Sequence, residues 1–345
     1  MRTGGWLGAV ALAVCCDGSS AIVGEIPPEP DVPPTTSSAV STFAIRNLFL
    51  GDTDRSGDVA PTAWTAFGFD LDGLVTGAGS TNVCSLQPGA PLSVQVDGEN
   101  GIDDAWGAEL LPLLETTFSF PSPSETESLQ IVGGDWTLQI QITGLSDDLG
   151  QTAVGLAADV FVSGALGAVP AFDATTRWPV LPSSLADGAT VAGGAIARFS
   201  QVYVSNGIVV AAGADALTIP LVIDLEPFPL HVRHPLLVLS RSTATLATGT
   251  IGGVLDPDEI TQTFVDAVHE LKISACGSGL DPMLTQITQS EDILSNVTNQ
   301  PGVACNAISI GVGFVASLVA NPTDVGDDGP PPPNPCDAGT DADAD

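Results

Sequence analysis

The stretch DWTLQIQIT, residues 135–143, decides the fold class. Trp136, Leu138, Ile140 and Ile142 fall on one side of an extended chain, and Thr137, Gln139 and Gln141 fall on the other. Strict period-two alternation marks a strand with one buried and one wet face, the habit of antiparallel sheets. The pattern recurs outward from there. ALTIPLVIDLE (216–226) puts Leu217, Ile219, Leu221, Ile223 and Leu225 on one face, with Pro220 opposite, which argues an edge strand or a bulge. AISIGVGFVASLV (307–319) puts Ile308, Ile310, Val312, Phe314 and Leu318 on one face and small residues on the other. QVYVSNGIVV (201–210) holds Asn206-Gly207 between two apolar runs, a two-residue hairpin signal. Segments 198–211, 216–226, 229–240 and 243–253 then read as a meander with short connections.

One helix is well specified. In LDPDEITQTFVDAVHELK (255–272), Asp256 is the N-cap, Pro257 opens the first turn and Glu259 takes the capping-box position. Ile260, Phe264, Val268 and Leu271 form its apolar stripe. Weaker helices are expected near 103–115 and 283–294. The expected architecture is mainly β: an antiparallel β-sandwich-like domain with a few short helices.

The chain has 41 acidic and 8 basic residues, and a formal net charge of −33. With no basic patch to displace counterions from phosphates, nucleic acid is excluded as a partner. Direct attraction to anionic lipid is excluded in the same way. Divalent cations are the natural counter-charge, although acidity also serves simply to keep an exported protein soluble.

The start of the chain reads as an address. Residues 1–16, MRTGGWLGAVALAVCC, carry one Arg, then an apolar run too short to span a bilayer, then two cysteines. This is a signal peptide of lipoprotein type, with Cys15 or Cys16 as the lipidated residue; an ordinary secretory leader is the alternative. Residues 17–42 are rich in Pro, Ser, Thr and acid, as a solvated stalk would be. A single β-rich domain is expected over 43–320, Asp/Gly-rich across 43–115, followed by a disordered acidic Pro-rich tail at 321–345.

Four further cysteines are Cys84, Cys276, Cys305 and Cys336. In an exported chain an even count suggests disulfides. Cys276 and Cys305 flank one helical segment and make the expected pair, leaving Cys84 and Cys336 by elimination. No CxxC or Cys/His pair has zinc spacing.

Three Asp/Gly clusters carry the clearest chemistry: GDTDRSGD (51–58), FDLDG (69–73) and DGENGIDD (97–104). Short carboxylates at alternate positions, turned by Gly, can wrap a hard cation such as calcium. Asp52, Asp54, Ser56, Gly57 and Asp58 match the first half of an EF-hand loop, but the position of the bidentate Glu is Ala63. Carboxylates from elsewhere would have to complete the shell: Asp70, Asp72, Asp97, Glu99, Asp103 and Asp104 are available. The competing reading is turn chemistry, because Asp beside Gly caps loops and helices without any metal.

Other signals are weaker. On a strand, His231 and Arg233 share a face and His234 takes the other, so the histidines do not converge on a metal. His269 and Glu270 belong on the polar side of the capped helix. Asp224 and Glu226 share a strand face about 7 Å apart by strand rise. Paired carboxylates on a sandwich would suit glycoside hydrolysis, but no aromatic platform accompanies them and Tyr203 is the one tyrosine. There is no GxSxG, no GxxxxGK[ST] and no complete GxGxxG.

The order of motifs LGDTDRSGD, AWTAFGFDLDG, a Cys, DGENGIDDAWG and CNAISIGVGF resembles a family of uncharacterised lipoproteins from Gram-negative soil bacteria, over about 43–319. The resemblance implies export, a lipid anchor and one continuous domain, and it supplies no catalytic residues. The sequence thus leads to an exported envelope protein, at the outer-membrane surface or in the periplasm, that meets the membrane only through its anchor. It would bind a protein or glycan ligand or serve a structural role, with calcium as its cofactor and without catalysis. A secreted carbohydrate-active enzyme using Asp224 and Glu226 is the alternative.

Overall fold

Alternating apolar side chains need a common interior, and in this chain the interior is the lumen of a barrel. A computed structural model of the chain describes residues 24–118, 122–223, 226–270 and 280–328. Among these residues nine strands run as β1 (Val40–Phe49), β2 (Thr137–Thr143), β3 (Ala153–Ser163), β4 (Ala197–Ser205), β5 (Ile208–Ala212), β6 (Ala216–Ile223), β7 (Glu226–Arg241), β8 (Leu246–Leu255) and β9 (Ile308–Val319). Their order is β5-β4-β3-β2-β1-β9-β8-β7-β6, with every neighbour antiparallel.

The expected sandwich is corrected by one further pairing. β5 also joins β7, from Ile208 opposite Ser240 to Ala211 opposite Leu237. That contact closes eight strands into a barrel and leaves β6 as a ninth strand on the first half of β7. The length of β7 makes this possible: Glu226–Arg233 pairs β6, and 237–240 pairs β5. Between the halves the register with β8 slips at Arg233/Leu236, where His234 takes φ +49° ahead of Pro235. The expected meander is corrected with it, because β5 and β6 are consecutive in sequence but not paired.

The lumen is filled by the inward residues of every strand. Phe43 and Leu48, Leu138 and Ile140, Val160, Phe199, Leu230, Ile251 and Phe314 belong to one buried cluster. The Asn206-Gly207 turn is as expected, with φ of +49° and +84° and Ser205 opposite Ile208.

The outer face departs from simple alternation. Thr137 and Gln139, assigned to solvent by period, are fully buried. Residues 164–195 fold over the outside of β1–β3, placing Trp178 against Ala44 and Val180 against Phe161. Thr137 Oγ1 donates to Ile45 O at 2.6 Å and Gln139 Nε2 to Ser163 Oγ at 2.8 Å, so both side chains donate within the protein, while Gln139 Oε1 has no partner among the described residues.

Among the described residues four α-helices flank the barrel: α2 (Pro123–Gly133) packs on β1, α3 (Pro257–Glu270) packs on β7, and α1 (Leu111–Phe118) and α4 (Asp281–Gln289) meet α3. Trp106 meets Phe228 and Phe118 meets Phe264 there. Asp256 Oδ1 caps α3, accepting from Asp258 N and Glu259 N. Glu259 does not close a capping box; its carboxylate pairs with Arg233 at 2.7 Å. The helix expected to reach 294 ends at Gln289, and 103–110 is a turn followed by a π-helical stretch, Trp106–Leu110.

The expected pairing Cys276–Cys305 is also corrected. Cys305 bonds Cys84, 221 residues away. A parallel bridge between Ser85 and Ala304 lays the two segments side by side, a long-range contact that proximity in sequence could not reveal. Cys276 and Cys336 lie outside the described residues.

Candidate metal centre

The small residues of β8 and β9 prepare the site. A Cβ at Gly311 or Gly313 would overlap Phe67, and one at Gly252 would overlap the Phe69 ring. Their absence lets residues 67–69 lie flat across the barrel wall, which delivers Asp70 and Asp72 to a fixed place. Phe69 bridges to Asp103, whose N–H donates to Phe69 O at 3.0 Å, and Asp103 Oδ2 accepts from Leu71 N at 2.7 Å.

Asp70, Asp72 and Asp103 thereby each bring one carboxylate oxygen within 4.8 Å of the others, and this cluster could hold a metal ion. Asp97 is beside it, tied by both oxygens to Thr76: Oδ2 accepts from its N–H at 2.5 Å and Oδ1 from its hydroxyl at 2.7 Å. Asp72 Oδ1 accepts from Leu74 N and Oδ2 from Asn299 Nδ2 at 2.5 Å. Asn299 Oδ1 in turn accepts from Cys84 N at 2.6 Å, so the disulfide segment holds the cluster from behind.

The electrostatics are one-sided. Burial pushes the Asp103 carboxyl up to about 10, with Asp292, Asp72 and Asp97 adding repulsion. Burial also raises Asp70, with Asp72 adding to it, and raises Asp97, with Asp72 and Asp70 adding. Asp292, buried, is raised to about 7 by that burial while Ser309 N and Oγ donate to its two oxygens. Among the described residues the ion pairs are Arg198 with Asp159 and Arg233 with Asp256 and Glu259; none reaches this cluster.

The other acids named from sequence are elsewhere or otherwise engaged. Asp52 is buried at the start of α2, accepting from Ser122 Oγ at 2.8 Å, from Ser124 N and from Ser124 Oγ. Asp54 Oδ1 closes an Asx turn on Ser56 N and Asp58 N, with Thr53 bridged to Val59. Ser56, Asp58 and Glu99 are exposed. Asp104 is buried and turned to the backbone, its Oδ1 accepting from Gly107 N and Gly311 N at 3.0 Å each. The EF-hand-like stretch is thus a hairpin turn and a helix anchor, not part of the carboxylate group.

Asp292, Asn299 and Ser309 complete the surroundings and had no local signature. One missed element did: Ser122-Pro123-Ser124-Glu125 is an N-cap, a first-turn proline and an acid in the first turn, and Ser122 Oγ accepts from Glu125 N at the head of α2. His231 Nδ1 is 3.0 Å from Thr218 Oγ1, and His231 and His234 are exposed. Asp224 and the side chains of Glu226, His269 and Glu270 lie outside the described residues. Comparison with protein-family models, curated proteins and solved structures gave no match.

Proposed function

We propose that the chain is an exported, lipid-tethered β-barrel that binds calcium at Asp70, Asp72 and Asp103, with Asp97 as the nearest further donor. It acts as a non-enzymatic binding or structural protein of the bacterial envelope. The observation that carries the cation reading is the convergence of three carboxylates, one of them buried, with no basic side chain among the described residues paired to them. Gathered like charges near a protein surface cost of order 1 kcal/mol or more per close pair. An ion removes that cost. Oxygen-only donors on irregular loops suit calcium, which takes six to eight oxygens in flexible geometry, and do not suit zinc.

The leader, the stalk and the motif order support export and the anchor. The apolar lumen supports a barrel standing in water on its tether, because membrane-spanning barrels put their apolar residues outward and line the lumen with polar ones. Melting curves of the exported domain with EGTA and with millimolar calcium test the reading. Saturation at about 100 times Kd stabilises by about 2.7 kcal/mol, a rise of roughly 5–10 °C for a domain of this size. An unchanged melting temperature would remove the ion.

A further inference from the structure

The barrel wall has a window. β4 starts at Ala197, but β5 covers it only from Gln201 opposite Ala212, and β6 pairs β7 rather than β4. Residues 197–200 and the free edge of β6 therefore face each other across a gap, which holds a cleft of about 350 Å3. Its floor is the lumen itself: Val160 and Val162 of β3, Ala197 of β4 and Leu217 of β6 line it, and all four belong to the central apolar cluster. Ile196 stands at its mouth, 62% exposed. The volume lies at the lower end of small-molecule sites and is about twice the roughly 150 Å3 cavity that takes up benzene.

The rim is polar. Among the described residues that line the cleft none is a carboxylate, and His231 is the one ionisable side chain. Asp328, which does not line it, is held by Ser183 N and Oγ. The β6 edge adds main-chain groups. Pro220 faces Pro229 and Val222 faces Pro227, so these are the non-hydrogen-bonded pairs of the ladder, and even-numbered residues of β6 direct N–H and C=O away from β7. Val222 N follows this rule, donating outward to Glu127 Oε1 at 2.8 Å. Thr218, on the cleft wall, has the same parity, which leaves its N–H as a donor at the rim beside His231.

We propose that this window binds a medium-chain fatty acid. The alkyl chain lies over Val160, Val162 and Leu217, and the carboxylate meets Thr218 N–H and His231. The apolar floor supplies the affinity, and the Thr218 N–H and His231 supply polar partners for the head group on a wall whose described lining residues include no acid. The cleft shares no residue with the carboxylate cluster, so failure of the calcium reading leaves this proposal standing.

Displacement of a dansyl-labelled undecanoic acid from the full chain tests it, with decanoate, decanol and decyltrimethylammonium as competitors below their micellar concentrations. Decanoate and decanol should displace the probe, and the cationic chain should be at least tenfold weaker. Ile196→Asp, at an exposed position, should weaken decanoate at least tenfold. Val162→Phe, which fills the floor, should weaken both decanoate and decanol, with its fold checked by melting. No saturable displacement overturns the proposal. So does equal binding of the cationic chain, or decanoate affinity unchanged in Ile196→Asp.

Discussion

Asp103→Asn should have opposite effects with and without calcium. Without an ion, the Asp103 carboxyl sits among Asp72, Asp97 and Asp292, 5% exposed and pushed up to about 10. Its unfolded value is about 3.9. Because the folded value is the higher one, the neutral form favours the fold fully below about pH 4, and that contribution is lost as pH climbs toward about 10. At pH 7 folding then costs the uptake of a proton across about three pH units, at most about 4 kcal/mol. Asparagine resembles the neutral acid and can still accept from Leu71 N, so the variant should be more stable than wild type in EGTA. The gain should approach 10 °C in melting temperature as an upper bound.

With calcium the order reverses. The wild-type site must release the Asp103 proton to bind the ion, and the variant has no charge to offer. Calorimetric titration at pH 7 in two buffers of different ionisation enthalpy should show close to one proton released per ion in wild type. In Asp103→Asn the calcium-dependent rise in melting temperature should largely disappear. Equal calcium shifts in the two proteins, or a variant less stable than wild type in EGTA, would refute the reasoning.

Three other outcomes are expected. Replacing Cys84 and Cys305 by Ala should cost about 5 kcal/mol on the loop-entropy model and should also weaken calcium binding, because Cys84 N orients Asn299 and Asn299 holds Asp72; denaturant titration and calcium titration of the double variant read the two effects separately. Asp52→Ala should cost about 2–3 kcal/mol by leaving the Ser122 and Ser124 donors at the start of α2 unpaired, while the calcium shift stays as in wild type; a lost shift would return the 52–58 loop to the site. Glu127 is buried and raised to about 8, so its contribution is present below about pH 4 and lost as pH rises to about 8; Glu127→Gln, still able to accept from Val222 N, should raise stability at pH 8 by at most about 5 kcal/mol and change little at pH 4.

The strands were legible because period two is local. Residues 135–143 and 307–319 show their buried faces in the sequence alone, and so do the Asn206-Gly207 turn and the Asp256 cap. Closure was not legible. Sandwich and barrel share the same alternation, and they part here only where β5 meets β7, a pairing that begins just after the kink at His234. The carboxylate cluster was half legible for a similar reason. Asp52, Asp54, Asp70 and Asp72 all stand near Gly in like-looking motifs, and the sequence cannot tell an acid that caps a backbone from one that joins others in space. What separates them is the glycine track on β8 and β9: Gly311 and Gly313 read as merely small, yet they fix where residues 67–69 lie and hence where Asp70 points its oxygens.

The acidity of the chain and its irregular outer layer have a common physical cause. A barrel satisfies its own main chain, but the loops laid over its outside bury N–H groups that no strand partners. Side chains must accept from them, and a chain with 8 bases against 41 acids has carboxylates to do it. Asp54, Asp70, Asp72, Asp97, Asp103, Asp104 and Asp292 each accept from a backbone N–H in or beside these loops. Each such bond is favourable alone, and charge-assisted hydrogen bonds are the stronger kind. Crowding them is not: where two covering loops cross at Asp70, Asp72 and Asp103, carboxylates gather with no base among the described residues paired to them. The cluster that could hold a cation is therefore a consequence of how the barrel is covered. Calcium should accordingly tighten the loops at 69–76 and 97–105 against hydrogen exchange while leaving protection of β1–β4 unchanged.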